Sequence, residues 1–336
     1  SVAAFLLRKW GYDCVGLTMK TYEGKMSCSV GKNTGCCDVR SIEDALSVAV
    51  TLGVPHRTMD IRKEFSGSVV DYFKAEYLAG RPPNPCILCN SLSRTPTLDM
   101  QSIFLGYDGG FATGHYARVR QDKGRYVLYK GRDKCKDQSY ALWGLSQKYL
   151  AKIIFPLGDM TKDEVRTLAR ENGFEHLAKK PESYEICFIP DNDYRGFLKR
   201  SIDGLEERVK GGEFVLEDGT VVGKHEGYPF YTVGQRRGLN IALGYPVYVT
   251  EIQPEHNRVV VGKFDELARD GMWVHRLNMI KYSHLDKPLD VVVKVRYNDK
   301  GTPAVIHQKG DQMQVFFNKP VPVSYTHLRA HETPLH

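Results

Sequence analysis

Residues 41–59 read SIEDALSVAVTLGVPHRTM, and their pattern decides the fold class. Ile42, Ala45, Leu46, Ala49, Val50 and Leu52 recur at the spacing of a helix buried along one side, and Gly53 supplies its stop. Val54 to Met59 follows as a short extended segment, after which Phe65, Val69, Tyr72, Phe73 and Tyr77 lay out a longer helix. Ahead of the quoted stretch, Cys14-Val15-Gly16-Leu17-Thr18-Met19 reads as a strand. Helix and strand alternate in this way to about residue 180, which predicts an α/β fold with a doubly wound parallel sheet. Ligands of such sheets bind outside the carboxyl ends of the strands. The segments after Met19 and after Phe111-Ala112-Thr113 are therefore the places to look, and the second reads Gly114-His115-Tyr116.

Toward the ends the texture changes. The chain opens directly on a helix, with Val2, Phe5, Leu6 and Trp10 at helical spacing and Gly11 as stop, so a strand and turn are expected ahead of it. After about residue 205, an Asp218-Gly219 turn closes a hairpin between Glu213 and Gly223, and short strands are expected at 246–253, 257–262, 289–297, 303–308 and 313–317. The resulting division is an α/β domain over 1–181, a small central domain over 182–264 and a β-barrel-like domain over 265–322. Val323 to His336 shows no periodicity and holds three histidines, which reads as a foreign tail.

Composition narrows the class without naming a function. In 336 residues, 42% are hydrophobic and 26% charged, the usage of an ordinary globular protein, and no apolar run approaches the ~18 residues of a membrane span. A net charge of +7 permits an anionic partner but does not demand one. The eight cysteines, Cys14, Cys28, Cys36, Cys37, Cys86, Cys89, Cys135 and Cys187, are irregularly spaced in a long chain. That pattern predicts reduced thiols and a cytoplasmic protein with no membrane partner.

Five local patterns carry chemistry. Arg81-Pro82-Pro83-Asn84-Pro85-Cys86-Ile87-Leu88-Cys89-Asn90 denies helix to its approach, leaving Cys86 and Cys89 on a loop or first helical turn where free N–H groups favour a thiolate. The pair is redox-active or half of a zinc knuckle, although no second CxxC completes one. Cys187, in Glu182-Ser183-Tyr184-Glu185-Ile186-Cys187-Phe188-Ile189-Pro190, is a buried packing cysteine or a partner of that pair. Between Tyr116 and Lys136, eight basic residues face two acids with Tyr116, Tyr126 and Tyr129 interleaved, which suits RNA phosphates or a simply solvated hairpin. Lys136-Asp137-Gln138-Ser139-Tyr140 offers donors and acceptors for a base, and Gly234-Gln235-Arg236-Arg237-Gly238-Leu239 offers two arginines for a phosphate or an ordinary charged turn.

Taken together with Gly16-Leu17-Thr18-Met19-Lys20, Thr113-Gly114-His115-Tyr116-Ala117-Arg118 and Val295-Arg296-Tyr297, these motifs make residues 1–320 resemble the tRNA-specific 2-thiouridylases. The resemblance implies a PP-loop ATPase domain, a central domain and a β-barrel. It implies that ATP, with magnesium, adenylates the C2 oxygen of the wobble uridine in tRNA for lysine, glutamate and glutamine. Cys187 would carry a persulfide loaded by a sulfurtransferase or relay protein, Cys89 would be the nucleophile that releases the sulfur, and the two would finish as a disulfide. Met19 and Gly114 would line the nucleotide site, while Asn84, Pro85, Cys86, His115, Lys136, Asp137, Gln138, Arg296 and Tyr297 would approach tRNA.

Departures from the family pattern bear on these expectations. The nucleotide loop Ser-Gly-Gly-x-Asp-Ser would lie just before Val2, with Ser1 as its last serine, so the chain as written is expected to bind ATP poorly and to be inactive. Cys86 stands where many members have Asp, and Tyr184-Glu185 replaces Gln-Asp. Two rival readings remain: an iron–sulfur cluster on Cys86, Cys89 and Cys187, and a non-catalytic RNA-binding protein with zinc at Cys28, Cys36 and Cys37.

Overall fold

The computed structural model describes residues 2–22, 39–107, 109–180, 186–297, 299–322 and 327–328. The chain divides into two compact units, Ser1–Asp71 with Pro85–Asp193, and Tyr72–Asn84 with Tyr194–His336.

In the first unit α1 (Val2–Lys9) buries Val2, Ala3 and Leu6 and ends at Gly11, whose φ of +85° a residue with a Cβ adopts only with strain. β1 (Gly16–Lys20) pairs in parallel with β2 (His56–Asp60), Gly16 opposite His56 and Lys20 opposite Asp60, with α2 (Val39–Leu52) as the crossover. β3 (Phe111–Ala112) is followed by the antiparallel hairpin of β4 (Ala117–Asp122) and β5 (Arg125–Lys130), then by β6 (Ile153–Ile154), which runs parallel to β3. The parallel α/β class read from the sequence is present. Among the described residues its parallel strands form two pairs.

The helical run expected through Tyr77 consists of α3 (Arg62–Phe65), a π-helical turn at Ser66–Val70 and α4 (Asp71–Leu78). A second run comprises α5 (Pro85–Leu88), a π-helical turn at Cys89–Arg94 and α6 (Thr95–Phe104). Buried Asp99 of α6 accepts from Lys152 (2.7 Å) and pairs with Lys148 (2.9 Å); the Lys152 hydrogen bond above all holds its carboxyl below the usual range. After α7 (Gln147–Leu150), α8 (Lys162–Glu171) opens on a capping box between Thr161 and Glu164 and packs against α1. The described helices include none long and apolar enough to cross a membrane.

The second unit is mostly β, as its turn-rich sequence predicts. β7 (Gly212–Val215) and β8 (Val221–His225) form the expected hairpin, with Gly219 at φ +85° in its turn. They join β9 (Tyr248–Gln253) and β10 (Arg258–Gly262) in the order β8-β7-β10-β9. A five-stranded sheet follows, built from β11 (Ala268–Val274), β12 (Leu289–Val293), β13 (Thr302–Lys309), β14 (Gln312–Pro322) and β15 (His327–Leu328), around Met272, Val274, Val291, Ile306 and Val315. β12 is shorter than the expected 289–297 strand. Within the stretch read as a foreign tail, His327–Leu328 pair with Trp273 and Val274; the other residues of 323–336 lie outside the described residues.

Candidate active site

The approach through Arg81–Asn84 is non-helical and the helix begins at Pro85, where a missing N–H leaves nothing unsatisfied. Cys86 is exposed on α5, whereas Cys89, 9% exposed, opens the π-helical turn. Such turns widen the backbone locally and are frequent at functional sites. Buried Asn90 fixes this one, its side-chain amide donating to the carbonyls of Cys86 (3.0 Å) and Ala141 (3.2 Å). Gly144 lets the 139–145 segment come close, since a Cβ there would stand 3.1 Å from Ser91 and 3.2 Å from Ile87.

The segment after β3, a strand that packs against α6, lies near Arg94 at the end of this run. Thr113 Oγ1 is 2.7 Å from His115 Nδ1, and Phe155 meets the His115 ring edge-on at 6.1 Å. The ring keeps a partly exposed edge, but crowding by protein, with Arg94 adding its charge, lowers its pKa to about 3. His115 is therefore a neutral imidazole at physiological pH. Gly114 beside it is exposed and forms one wall of a cavity of about 190 Å³ that also includes Val2, Tyr116, Lys162, Arg166 and Lys180. Met19 lies at the carboxyl end of β1, opposite Met59.

The Lys136–Tyr140 segment turns out to be held inward. Asp137 accepts from the Gly131 N–H (2.9 Å), the Ser139 N–H (3.3 Å) and the Ser139 hydroxyl (2.8 Å). Gln138 Oε1 accepts from the Tyr116 N–H at 3.0 Å, and the Gln138 N–H donates to the Tyr116 carbonyl. Part of the bonding capacity of Asp137 and Gln138 thus goes into shaping the loop beside His115, because the local N–H groups need acceptors.

Cys187 is half-buried in a turn closed by the Ile189 N–H on the Ile186 carbonyl (2.8 Å). Its neighbour Phe188 is 2% exposed and meets both Phe65 and Tyr22 at 5.9 Å between ring centres. Phe65 leads into the turn at Ser66–Val70, which packs against α5 and against the turn that Cys89 opens. One support thus carries both cysteine segments. Glu182–Glu185 lie outside the described residues, as do Cys28, Cys36 and Cys37 of the zinc reading.

No disulfide is formed among the described residues, and the one that the resemblance implies belongs to the end of a turnover, after sulfur has left. No three His, Cys, Asp or Glu side chains among the described residues are grouped to share a metal, so Cys86, Cys89 and Cys187 do not fit a cluster as arranged here.

In the second unit, Arg296 donates to the Val233 carbonyl (3.4 Å) and lies 2.9 Å from where a Gly234 Cβ would stand, joining two motifs that are distant in sequence. Asn84 belongs to this unit, as does Tyr297, which is exposed. Sequence reasoning missed Phe65, Arg94 and Phe155. Phe65 alone left a signal, as an apolar residue at helical spacing, which gives burial but not the partner.

Known proteins match this sequence over nearly its whole length. The family model described as tRNA methyl transferase HUP domain matches residues 1–191, and that described as tRNA methyl transferase PRC-barrel domain matches 196–263. The tRNA-specific 2-thiouridylase MnmA of Amoebophilus asiaticus is 61% identical over 322 residues, covering 96% of this chain and 85% of that protein. Those of Cytophaga hutchinsonii and Salinibacter ruber are 55% and 51% identical, covering 96% and 95% of this chain and 87% and 84% of theirs. With a HUP domain followed by a PRC-barrel and identity of this order along the chain, the protein belongs to the tRNA-specific 2-thiouridylase family.

Proposed function

We propose that this protein, in the PP-loop ATPase class, replaces the C2 oxygen of a tRNA wobble uridine with sulfur, in tRNA for lysine, glutamate and glutamine. The observation that carries the reading is the shared support of the two cysteine segments, Phe65–Val70 under Cys89 on one side and Phe188 beside Cys187 on the other. Adenylation by ATP makes the C2 oxygen a leaving group that departs as AMP; magnesium, when bound, would supply the counter-charge of the phosphates. Met19 and Gly114 stand at strand ends suited to that nucleotide, and Lys162 and Arg166 bring basic side chains to the cavity wall that Gly114 shares, with Lys180 held by Asp44 at 2.8 Å.

Cys187 accepts the sulfane sulfur of a persulfide-donating protein and becomes Cys187–S–SH. The Cys89 thiolate attacks the inner sulfur, forming the Cys89–Cys187 disulfide and releasing hydrosulfide. Hydrosulfide adds at C2, AMP leaves, and C2=S remains with loss of one proton. A cellular dithiol then reduces the disulfide, which suits a cytoplasmic setting. Neutral His115 holds or donates a hydrogen bond at the flipped base without adding charge, while Pro85, Cys86, Lys136, Asp137 and Gln138 of the first unit, and separately Asn84, Arg296 and Tyr297 of the second, approach tRNA. The test is sulfur incorporation into these tRNAs by Cys187→Ser and Cys89→Ser variants of the complete enzyme; both should lose it, and unchanged incorporation in either overturns that cysteine's role.

A further inference from the structure

The β4–β5 hairpin is a charged surface for which the chemistry above has no use. Across its ladder Arg118 faces Tyr129, Arg120 faces Val127 and Asp122 faces Arg125, so three arginines and a tyrosine share one side. Like-facing residues of one strand stand about 6.8 Å apart. The Arg120 guanidinium lies 5.9 Å from the Tyr129 ring centre, an arrangement that steadies the cation and leaves its N–H edge for a ligand. Lys123, at φ +48°, and Gly124, at φ +80°, make the tight turn at the tip.

The structure also sorts the cations that the sequence only counted. Arg118 donates to the Lys130 carbonyl (2.8 Å) and pairs with Asp159 (3.2 Å), and Arg132 pairs with Glu164. Arg120, Lys123, Lys130 and Lys134 are exposed, and among the described residues no carboxylate lies at ion-pair distance from them. None of the large exposed apolar residues belongs to β4 or β5, which argues against a protein interface, since those centre on an apolar patch.

We infer that this face and its tip grip the phosphate backbone of tRNA, away from the residues that select the base. The inference rests on the tRNA reading above. Arg120 on the face and Lys123 at the tip suit backbone phosphates and read no sequence, so the contact orients the RNA while the nucleotide site supplies specificity.

The experiment is binding of an unmodified tRNA transcript to the complete protein across a salt series. Wild type is compared with Arg120→Glu/Lys123→Glu, with the milder Arg120→Gln/Lys123→Gln, and with Arg8→Glu/Lys9→Glu on α1 as a control of equal charge change. Each phosphate contact contributes about 0.7–0.9 to the slope of log affinity against log salt. Losing two contacts should flatten the slope by about 1.4–1.8, so the gap from wild type widens roughly 25–60-fold between 1 M and 0.1 M salt. Hairpin variants with the affinity and slope of the control overturn the inference while leaving the function standing. A wild type that does not bind tRNA overturns both. Loss of binding to polyglutamate with tRNA binding intact also overturns it, and assigns the face to an acidic protein.

Discussion

Replacing Phe65 tests whether an aromatic anchor positions the sulfur-carrying cysteine. Phe65 is fully buried, and its ring meets that of Phe188 edge-on at 5.9 Å, one residue from Cys187. Phe65→Ala removes a core side chain and should cost the first unit about 3–5 kcal/mol. Phe65→Leu keeps most of the volume and loses mainly the edge contact, about 0.5–1.5 kcal/mol. Because that contact can be lost only once, Phe65→Leu combined with Phe188→Leu should cost less than the sum of the two by a similar amount. The same energy biases the Cys187 turn toward its closed form, and 0.5–1.5 kcal/mol corresponds to roughly a 2–13-fold change in equilibrium. Alkylation of Cys187, followed by mass spectrometry, should accelerate by that factor in Phe65→Leu, and sulfur incorporation should fall. Exposed Cys135 is the internal control and should react at its wild-type rate. Additive stabilities with unchanged Cys187 labelling would refute the anchor.

Other perturbations address the remaining supports. Asn90→Ala leaves the Cys86 and Ala141 carbonyls without their donor and should cost about 1–3 kcal/mol in urea unfolding; a loss near zero would show that the clamp is dispensable. Gly144→Ala places a Cβ 3.1 Å from Ser91, pushing the run that carries Cys89 by a fraction of an ångström. Its kcat should drop about tenfold with KM for tRNA little changed, and an unchanged kcat would refute the geometric argument. His115 and His225 have pKa values lowered from 6.5 to about 3 and about 4, each chiefly by desolvation. Between 6.5 and those values the unfolded chain binds more protons than the folded one, so stability is lost as pH falls, by up to about 1.4 kcal/mol per unit for each histidine. Unfolding midpoints should decline from pH 7 to pH 5, and a flat profile, or one unaltered by His115→Asn, contradicts the assignment.

Much of the fold was legible from local pattern. The helix at 41–53, the Asp-Gly hairpin and the short strands of the second half each follow from periodicity and turn residues, because a segment's own side chains show which of its faces is buried. The CxxC loop and the Gly114-His115 segment were legible for a similar reason: proline punctuation and the ends of parallel strands are local features. Element ends were less so. Residues 295–297 continue the apolar pattern of β12, yet the strand stops at Val293, where the chain turns and Asp299 accepts the Val295 N–H.

The sequence by itself determined an α/β half, a β half, two thiols spaced as CxxC and a lone third thiol. It could not say that Phe65 stands behind both Cys89 and Cys187, since that depends on contacts across more than a hundred residues and no local period records them. Nor could it distinguish Arg118, which is tied to Asp159, from Arg120, which rests on Tyr129, because identical side chains are separated only by what folding brings to them. Asp137 and Gln138 make the same point. As residue types they could face a base, and only the tertiary structure, by aiming backbone N–H groups at them, turned their oxygens inward.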